Sequence, residues 1–257
     1  MTKNNTAQIL LPIDLHQIRR ENLETLIAIA RHINRGVLAL LLEDLRLQKI
    51  ADLPFTTEIT LSGARERSLG RDHLFQRHLR TTASTRMLLL ELAQREAVEL
   101  NFEETSGHRL RCALDRDGGM DIFFPPRHQW QRELTGAPKS RAHLRKLGIL
   151  VPSSQQGQRA LQISAALLRA GLVDEIHALT GPHFDCESLA SLPLQGQRLF
   201  VQRDVSLGPE AVLRLIRRSP YDLLLLPRDT LGGIPPAQLD AALEVASGQV
   251  LVLGAES

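Results

Sequence analysis

The stretch DIFFPPR, Asp121–Arg127, recurs without a gap as DLLLLPR, Asp222–Arg228. Each copy is a short apolar run that begins at an aspartate and closes with proline and arginine. A second element, ILLP at Ile9–Pro12, recurs as ILVP at Ile149–Pro152. The two pairs occur in the same order, and in each half the first element is followed by an amphipathic helix that stops at a glycine. The chain is therefore predicted to consist of two similar halves.

The first half begins with an apolar strand, Gln8–Ile13, followed by a helix over roughly 22–35. Asn22 has the side chain of a good N-cap. Gly36 can take the left-handed position just beyond the end of the helix. A second buried strand, Val37–Leu42, comes next. This strand–helix–strand order predicts the start of a parallel sheet.

The rest of the first half is less regular. An irregular segment, Glu43–Gly70, contains LPFTTEI and precedes a long helix from about Arg71 to Glu96. One face of that helix is apolar, with Phe75, Leu79, Ala83, Met87 and Leu90. The sequence then predicts a strand at VELNFEE, a short helix at HRLRCALDR and a fourth strand at DIFF.

The second half resembles a shortened copy of the first. Its predicted strands are LGILV, EIHAL, RLFVQ, DLLLL and QVLVLG, and its predicted helices are Gln156–Ala170, Pro209–Arg218 and PPAQLDAALEVASG. Strands that are apolar on both faces and alternate with helices indicate a parallel sheet covered on both sides. The predicted fold class is α/β, with two repeated open, parallel, doubly wound sheets and a shorter second unit. The predicted boundaries are 1–126 for the first unit, 127–146 for a basic linker and 147–257 for the second unit.

The composition is that of an ordinary globular protein, with 43% hydrophobic and 23% charged residues. A net charge of +2 is too balanced to indicate a polyanionic partner, and 4% aromatic residues offer few platforms for single-stranded nucleic acid. No apolar run is long enough to span a membrane, and no signal peptide is apparent. Cys112 and Cys186 form no CxxC motif, so the expected location is a reducing cytoplasm.

Three stretches carry a resemblance to a known family. They are ILLPIDL, which places Asp14 at the end of the first strand, the helix ending ARHINRG, and LLLEDLRLQKIADLPFTTEI after the second strand. Together with the closing DLLLLPR and QVLVLG, they resemble a tandem universal stress protein, which has an adenine-nucleotide α-hydrolase-like fold. The resemblance covers most of the chain, and LPFTTEI is its most distinctive part.

The resemblance implies where a nucleotide would bind. In nucleotide-binding members, an aspartate ending strand one contacts adenosine, and a G-x2-G-x9-G-[ST] loop after strand four holds ribose and phosphates through backbone N–H groups. The first half keeps Asp14 but has PPRHQWQREL in place of the loop, and proline has no N–H. The second half has Gly232 and Gly233 without the serine or threonine, and Ser153 and Ser154 replace the aspartate. No cofactor is therefore expected, with ATP or AMP as the alternative.

Three residues are candidates for a binding site: Asp14, Arg127 and Arg228. Asp14 can contact a ligand, but an aspartate at a strand end more often caps the following turn. The two arginines stand at equivalent strand ends and can bind a phosphate or a carboxylate through two hydrogen bonds. The competing interpretation, which we favour, is a surface arginine paired with a neighbouring acid such as Asp229.

Two other features have weaker functional interpretations. The stretch HALTGPHFDC gathers His177, His183, Asp185 and Cys186, but their spacing fits no zinc pattern. The linker from Arg127 to Lys146 is strongly basic, and a solvated linker explains it better than a nucleic-acid site. Neither a metal nor a nucleic acid is expected.

The sequence contains no GxSxG, HExxH, P-loop or GxGxxG with a following acid, so no enzyme activity is expected. We expect a non-catalytic, regulatory stress-response protein that acts through partners. The alternatives are an adenine-nucleotide sensor that uses Asp14 and, third, an enzyme of another α/β family such as a nucleotidyl transferase. The first half lacks a fifth strand in the sequence, so QVLVLG would be an exposed edge, and such edges are paired or covered. A homodimer is expected for that reason.

Overall fold

The computed structural model describes residues 8–14, 19–43, 57–59, 66–68, 71–116, 119–126, 143–203, 205 and 207–254. The strands in these ranges are β1 (Gln8–Asp14), β2 (Gly36–Glu43), β3 (Thr57–Ile59), β4 (Glu66–Ser68), β5 (Leu100–Ser106), β6 (Asp121–Phe124), β7 (Leu144–Ser153), β8 (Val173–His183), β9 (Arg198–Gln202), β10 (Leu223–Pro227) and β11 (Gln249–Leu253). The α-helices are α1 (Arg20–His32), α2 (Arg71–Glu96), α3 (Arg109–Leu114), α4 (Ser154–Arg169), α5 (Pro209–Arg217) and α6 (Pro236–Glu244). Two 3₁₀ helices cover Cys186–Ser191 and Arg228–Leu231.

One nine-stranded sheet organises the molecule, with the strand order β5-β2-β1-β6-β11-β10-β7-β8-β9. Neighbouring strands run parallel except β6 and β11, which are antiparallel. Strands β3 and β4 form a separate two-stranded antiparallel sheet. The predicted α/β class with an open, mostly parallel sheet is confirmed. The two predicted sheets are, however, halves of one continuous sheet.

The strand order is the same on both sides of the antiparallel junction. Counting strands along each half, β5-β2-β1-β6 is the order 3-2-1-4, and β9-β8-β7-β10 is again 3-2-1-4. The second half adds a fifth strand, β11, which lies at the junction. In the part of the chain that the structure describes, the first half contributes four strands to this sheet, and β11 takes the place beside β6 that a fifth strand would fill.

Strand β11 corrects one prediction. The sequence predicted that this strand would be an exposed edge, but it lies between β10 and β6, and all five of its residues are buried. Val250, Leu251 and Val252 pair with Phe124, Phe123 and Ile122. The prediction was wrong because it treated each half as a separate sheet. The edge strands of the sheet are β5 and β9, so the homodimer prediction loses the reason first given for it.

Helices cover both faces of the sheet. One face packs against α1, α2 and α4, and the other packs against α3, α5 and α6. Consecutive residues of a strand point to opposite faces, so the adjacent Phe123 and Phe124 enter the two different cores. Both side chains are buried, and burial of a side chain of this size contributes about 1.5–3 kcal/mol. The apolar runs of the sequence exist because both faces of the sheet are covered.

Helix α2 has the predicted bounds, but its apolar face points outward. Among its described side chains, those of Thr82, Thr85, Leu89, Leu92 and Ala93 are buried, and the last three join the core that includes α1. Leu79, Met87 and Leu90 of the predicted apolar face are 50%, 72% and 41% exposed. The side chain of Phe75 lies outside the described residues. In the part of the chain that the structure describes, the helix therefore presents an exposed apolar stripe, called here the outer α2 face: Leu79, Ala83, Met87 and Leu90.

Other boundaries differ by a few residues from the predicted ones. Helix α1 begins at Arg20, and its N-cap, Arg19, makes no side-chain capping hydrogen bond, so the predicted capping role of Asn22 is wrong. Strand β7 begins at Leu144, inside the predicted linker 127–146. The predicted linker up to residue 142, and most of the irregular segment that contains LPFTTEI, lie outside the described residues.

Candidate functional site

In an open parallel sheet, ligands bind beyond the carboxyl ends of the strands. Because β6 and β11 are antiparallel, this sheet has two such edges on opposite sides of the molecule. The first edge lies beyond the ends of β1, β2, β5 and β6. The second edge lies beyond the ends of β7 to β11. Each edge of the sheet is a place where a ligand of one half would be expected.

A buried ion pair occupies the second edge. Asp121, the first residue of β6, lies there because β6 runs antiparallel to β11. One guanidinium nitrogen of Arg159 donates to the Asp121 carboxylate at 2.7 Å, and the other donates to the Gly254 carbonyl at 2.9 Å. The Gly254 N–H donates to the second carboxylate oxygen, also at 2.9 Å. The two halves are therefore held together by a closed hydrogen-bonded group, called here the Asp121 lock.

Burial dominates the electrostatics of this group. Asp121 is completely buried, and the loss of its hydration raises the pKa of its carboxyl above the ordinary value. The charge of Arg159 and the Gly254 N–H act in the opposite direction without cancelling the effect of burial. The charged form of Asp121 therefore depends on Arg159. The guanidinium of Arg159, in turn, is already paired with an anionic group of the protein itself.

Helix α4 brings Arg159 to this position through close packing on β7. A Cβ atom added at Gly157 would lie 2.0 Å from the Cγ1 atom of Val151, so only glycine lets the helix approach the strand this closely. Strand β7 ends at Ser153, immediately before the helix. The glycine thus positions the helix, and the helix positions Arg159.

Arg228, a candidate for anion binding for which we favoured a surface pairing with an acid such as Asp229, contacts the first half. Its guanidinium donates to the carbonyl oxygen of Leu114 at 2.6 Å. Leu114 is the last residue of α3, and a cation at a helix C-terminus satisfies carbonyl groups that have no partner within the helix. Strand β10 is followed directly by the 3₁₀ helix Arg228–Leu231, and the Gly232 N–H donates to the backbone carbonyl oxygen of Asp229. This turn uses an N–H group that a phosphate loop would direct at its ligand.

The first edge contains Asp14, the last residue of β1, which pairs with Leu42 of β2. Its side chain and the whole of Arg127 lie outside the described residues, so their predicted roles stay predictions. At the same edge, the Nε2 atom of Gln249 donates to the Oδ1 atom of Asn22 at 3.2 Å. Both residues are buried, and the Asn22 Nδ2 and Gln249 Oε1 atoms have no hydrogen-bond partner among the residues that the structure describes.

Sequence reasoning missed both this amide pair and the Asp121 lock. Asn22 and Gln249 are 227 positions apart, and Asp121 and Arg159 are 38 apart. No local pattern joins residues at such distances. One signal did exist, since the aligned repeats pair Asp121 with Asp222. That match marks the two aspartates as equivalent but does not identify their partners.

The histidine-rich stretch of β8 belongs to an aromatic cluster. The His177 ring stacks on Phe200 with centroids 4.7 Å apart, and it lies 5.3 Å from the Tyr221 ring. The side chains of His183 and Cys186 are outside the described residues. Among the side chains that the structure does describe, no three potential metal ligands come together.

Comparison with solved structures finds a likeness over nearly the whole chain. The crystal structure of a universal stress protein from Archaeoglobus fulgidus DSM 4304 matches 96% of this chain and 96% of its own chain, with a TM-score of 0.53 and 12% sequence identity. This chain has a universal stress protein-like fold. The match extends over both halves. No protein-family model matches the chain, and no curated protein matches it. In the described ranges, no helix has the length and hydropathy needed to cross a membrane.

Proposed function

We propose that this chain is a non-catalytic regulatory protein of the universal stress protein type, which acts in the cytoplasm by binding partners and does not bind ATP. The observation that carries the proposal is the Asp121 lock. At the edge where the second half would bind a ligand, the guanidinium of Arg159 is paired with the Asp121 carboxylate. Gly254, just after β11, is hydrogen-bonded to both side chains.

The residues that follow the fourth strand of each half support the same proposal. After β6 come Pro125 and Pro126, which have no N–H to direct at a phosphate. After β10 comes a 3₁₀ turn in which the Gly232 N–H is used internally. Phosphate binding by backbone groups needs several N–H donors directed at one point. Neither sequence offers the glycine spacing that the resemblance requires.

Nucleotide co-purification tests this function directly. The chain has one tryptophan and one tyrosine, so its own absorbance at 280 nm is weak and a bound adenine would alter the 260-to-280 nm ratio strongly. We expect the purified protein to show the ratio calculated from its aromatic residues alone. A raised ratio, together with adenine nucleotide released on denaturation, would contradict the proposal.

A second candidate function is an adenine-nucleotide sensor at the first edge. The observation that favours it is the pair of buried, unpartnered amide atoms on Asn22 and Gln249, beside the start of α1. A ligand that donates to one and accepts from the other would remove the cost of burying them unpaired. If adenosine or AMP binds in calorimetry, Asp14→Ala and Asn22→Ala should abolish the binding and Arg228→Ala should leave it unchanged.

The outer α2 face is the surface that we propose for a partner, and we propose that the partner is a second copy of this chain. In an antiparallel pair of α2 helices with a two-fold axis near residue 85, the short Ala83 would lie opposite the long Met87 of the second copy. Arg80 would lie near the Glu91 side chain of that copy, which already pairs with Arg20 of its own chain, so the argument for self-complementarity rests on shape. This proposal replaces the uncovered β11 edge as the basis for a homodimer.

A further inference from the structure

A cavity of about 820 Å³ lies between helix α5 and the face of strands β7 and β8, beside the edge strand β9. Leu150 and Leu179 line it from within their strands, and Arg203, Val205 and Leu207, which follow β9, line its end at the second edge of the sheet. Its volume falls in the range of small-molecule binding sites. Its lining extends from Gly208, before the first turn of α5, to Arg218, just beyond the last, a length of about 15 Å.

The floor of the cavity is apolar. Leu150, Leu179 and Val212 are almost completely buried in the structure as a whole, yet all three line the cavity. Leu215 adds a half-buried side chain from the outer part of α5. An apolar ligand placed here would remove these surfaces from water, at about 25 cal/mol for each Å².

The rim of the cavity is positively charged. Arg203 follows β9, and Arg214 and Arg218 lie on and just after α5. All three are exposed, and none makes an ion pair with another residue in the described part of the chain. Glu210 is the one acidic residue among the described side chains of the lining. Guanidinium groups around an apolar floor favour a ligand that has an apolar body and an anionic group.

The apolar surface continues beyond the cavity. Tyr221 lines one end of it and contacts His177, which stacks on Phe200. Phe200 lies on the edge strand β9, and it is 45% exposed although its side chain is a large aromatic ring. The cavity therefore opens onto an aromatic surface rather than ending at solvent, so it can hold an elongated apolar group.

We propose that this cavity binds a free anionic amphiphile, a medium-length alkyl carboxylate, with its chain along the floor and its carboxylate on Arg214 and Arg218. The proposal is independent of the nucleotide question, because the ligand's carboxylate lies on Arg214 and Arg218 at the other end of α5, and only rim residues that follow β9, such as Arg203, lie at the second edge.

Fluorescence displacement tests the proposal, with anilinonaphthalene sulfonate as the probe and dodecanoate, below its micellar concentration, as the competitor. Wild-type protein should bind the probe and release it as dodecanoate is added. The double variant Arg214→Glu and Arg218→Glu should bind dodecanoate about tenfold more weakly or worse, since it replaces charge-assisted hydrogen bonds with repulsion. The control Arg217→Glu changes the same charge on the same helix outside the cavity and should bind as wild type does.

Two further arms distinguish binding in the cavity from binding elsewhere on the protein or on a membrane. Leu215→Trp should fill the cavity and reduce dodecanoate binding, with an unfolding midpoint measured to establish that the variant is folded. Dodecanol should bind equally to wild type and to the charge-reversed variant.

Equal dodecanoate affinity in wild type and the charge-reversed variant would overturn the proposal. Binding to vesicles of anionic phospholipid but not to soluble dodecanoate would also overturn it, because the ligand would then be a membrane surface.

Discussion

The Arg159 guanidinium donates to the Asp121 carboxylate at 2.7 Å and joins the second half of the chain to the first. The equivalent aspartate of the second half, Asp222, accepts the backbone N–H groups of Arg145 and Lys146 at 2.9 and 3.0 Å. Both aspartates therefore fix a strand of the sheet to its surroundings. The carboxylate at the start of each fourth strand serves the fold, and that of Asp121 also lies at the second edge of the sheet.

Loss of the Arg159 charge should destabilise the protein strongly. Arg159→Met leaves the Asp121 carboxylate buried without a cation, and breaking a buried pair in this way costs about 3–5 kcal/mol. Asp121→Asn alone should cost less, because burial already opposes the charged form of this carboxyl. The double variant should recover part of the loss. Urea denaturation at neutral pH measures all three free energies of unfolding.

The matched control for this series is Arg111→Met. Arg111 also pairs with an aspartate, Asp115, but both side chains are exposed, at 82% and 71%. An exposed pair of this kind contributes at most about 1 kcal/mol. Equal losses for Arg159→Met and Arg111→Met would show that the Asp121 lock has no special importance for the junction.

The cost of Arg159→Met should depend on pH. Burial raises the pKa of Asp121 in the folded protein, and removal of Arg159 raises that pKa further. A group whose pKa is raised by folding contributes stability at low pH. For Asp121 this stability is fully present below the ordinary pKa of 3.8 and is lost as the pH rises through the pKa of the folded state. The deficit of the variant relative to wild type should therefore be small near pH 4 and grow towards neutral pH. A deficit that grows on acidification would contradict this assignment.

Close packing at the junction should make Gly254 sensitive to substitution. A Cβ atom there would lie 2.6 Å from backbone atoms of Gly119 and Met120. These are backbone atoms, so relief requires the two halves to shift apart, and Gly254→Ala should cost about 1–3 kcal/mol. Gly208→Ala is the control, because no atom lies within 4 Å of its added Cβ. Thermal unfolding of both variants measures the difference.

The outer α2 face should control assembly. Met87→Lys places a charge at the centre of the proposed interface and should convert a homodimer into a monomer in light scattering coupled to size exclusion. Val245→Lys is the control, since Val245 is an exposed apolar residue at 56% on another part of the surface. A wild-type protein that is monomeric at all concentrations, or dimers in both variants, would contradict the proposed interface.

The sequence predicts the central strands of the large sheet well, because strands such as β1, β10 and β11 are apolar on both faces and that pattern depends only on local residues. It did not predict β3 and β4, which lie within the segment that was predicted to be irregular. Helix α2 was predicted with its observed bounds, but its periodicity could not show which apolar stripe would meet α1. The pairing of β11 with β6 could not be predicted, because it depends on which strand is missing beside β6. The Asn22–Gln249 pair and the Asp121 lock follow from that pairing, so they were missed for the same reason. Asn22 is an example. Its side chain suits an N-cap, but in the structure it lies inside α1, and its role is the contact with Gln249.

The most direct test of the proposed function is isothermal titration calorimetry of the wild-type protein with MgATP and with AMP, up to millimolar nucleotide. We predict no saturable heat, because the Asp121 lock fills the second edge and neither half follows its fourth strand with a glycine phosphate loop. Saturable binding of either nucleotide with a stoichiometry near one, lost in Asp14→Ala, would contradict that account and support the sensor in its place.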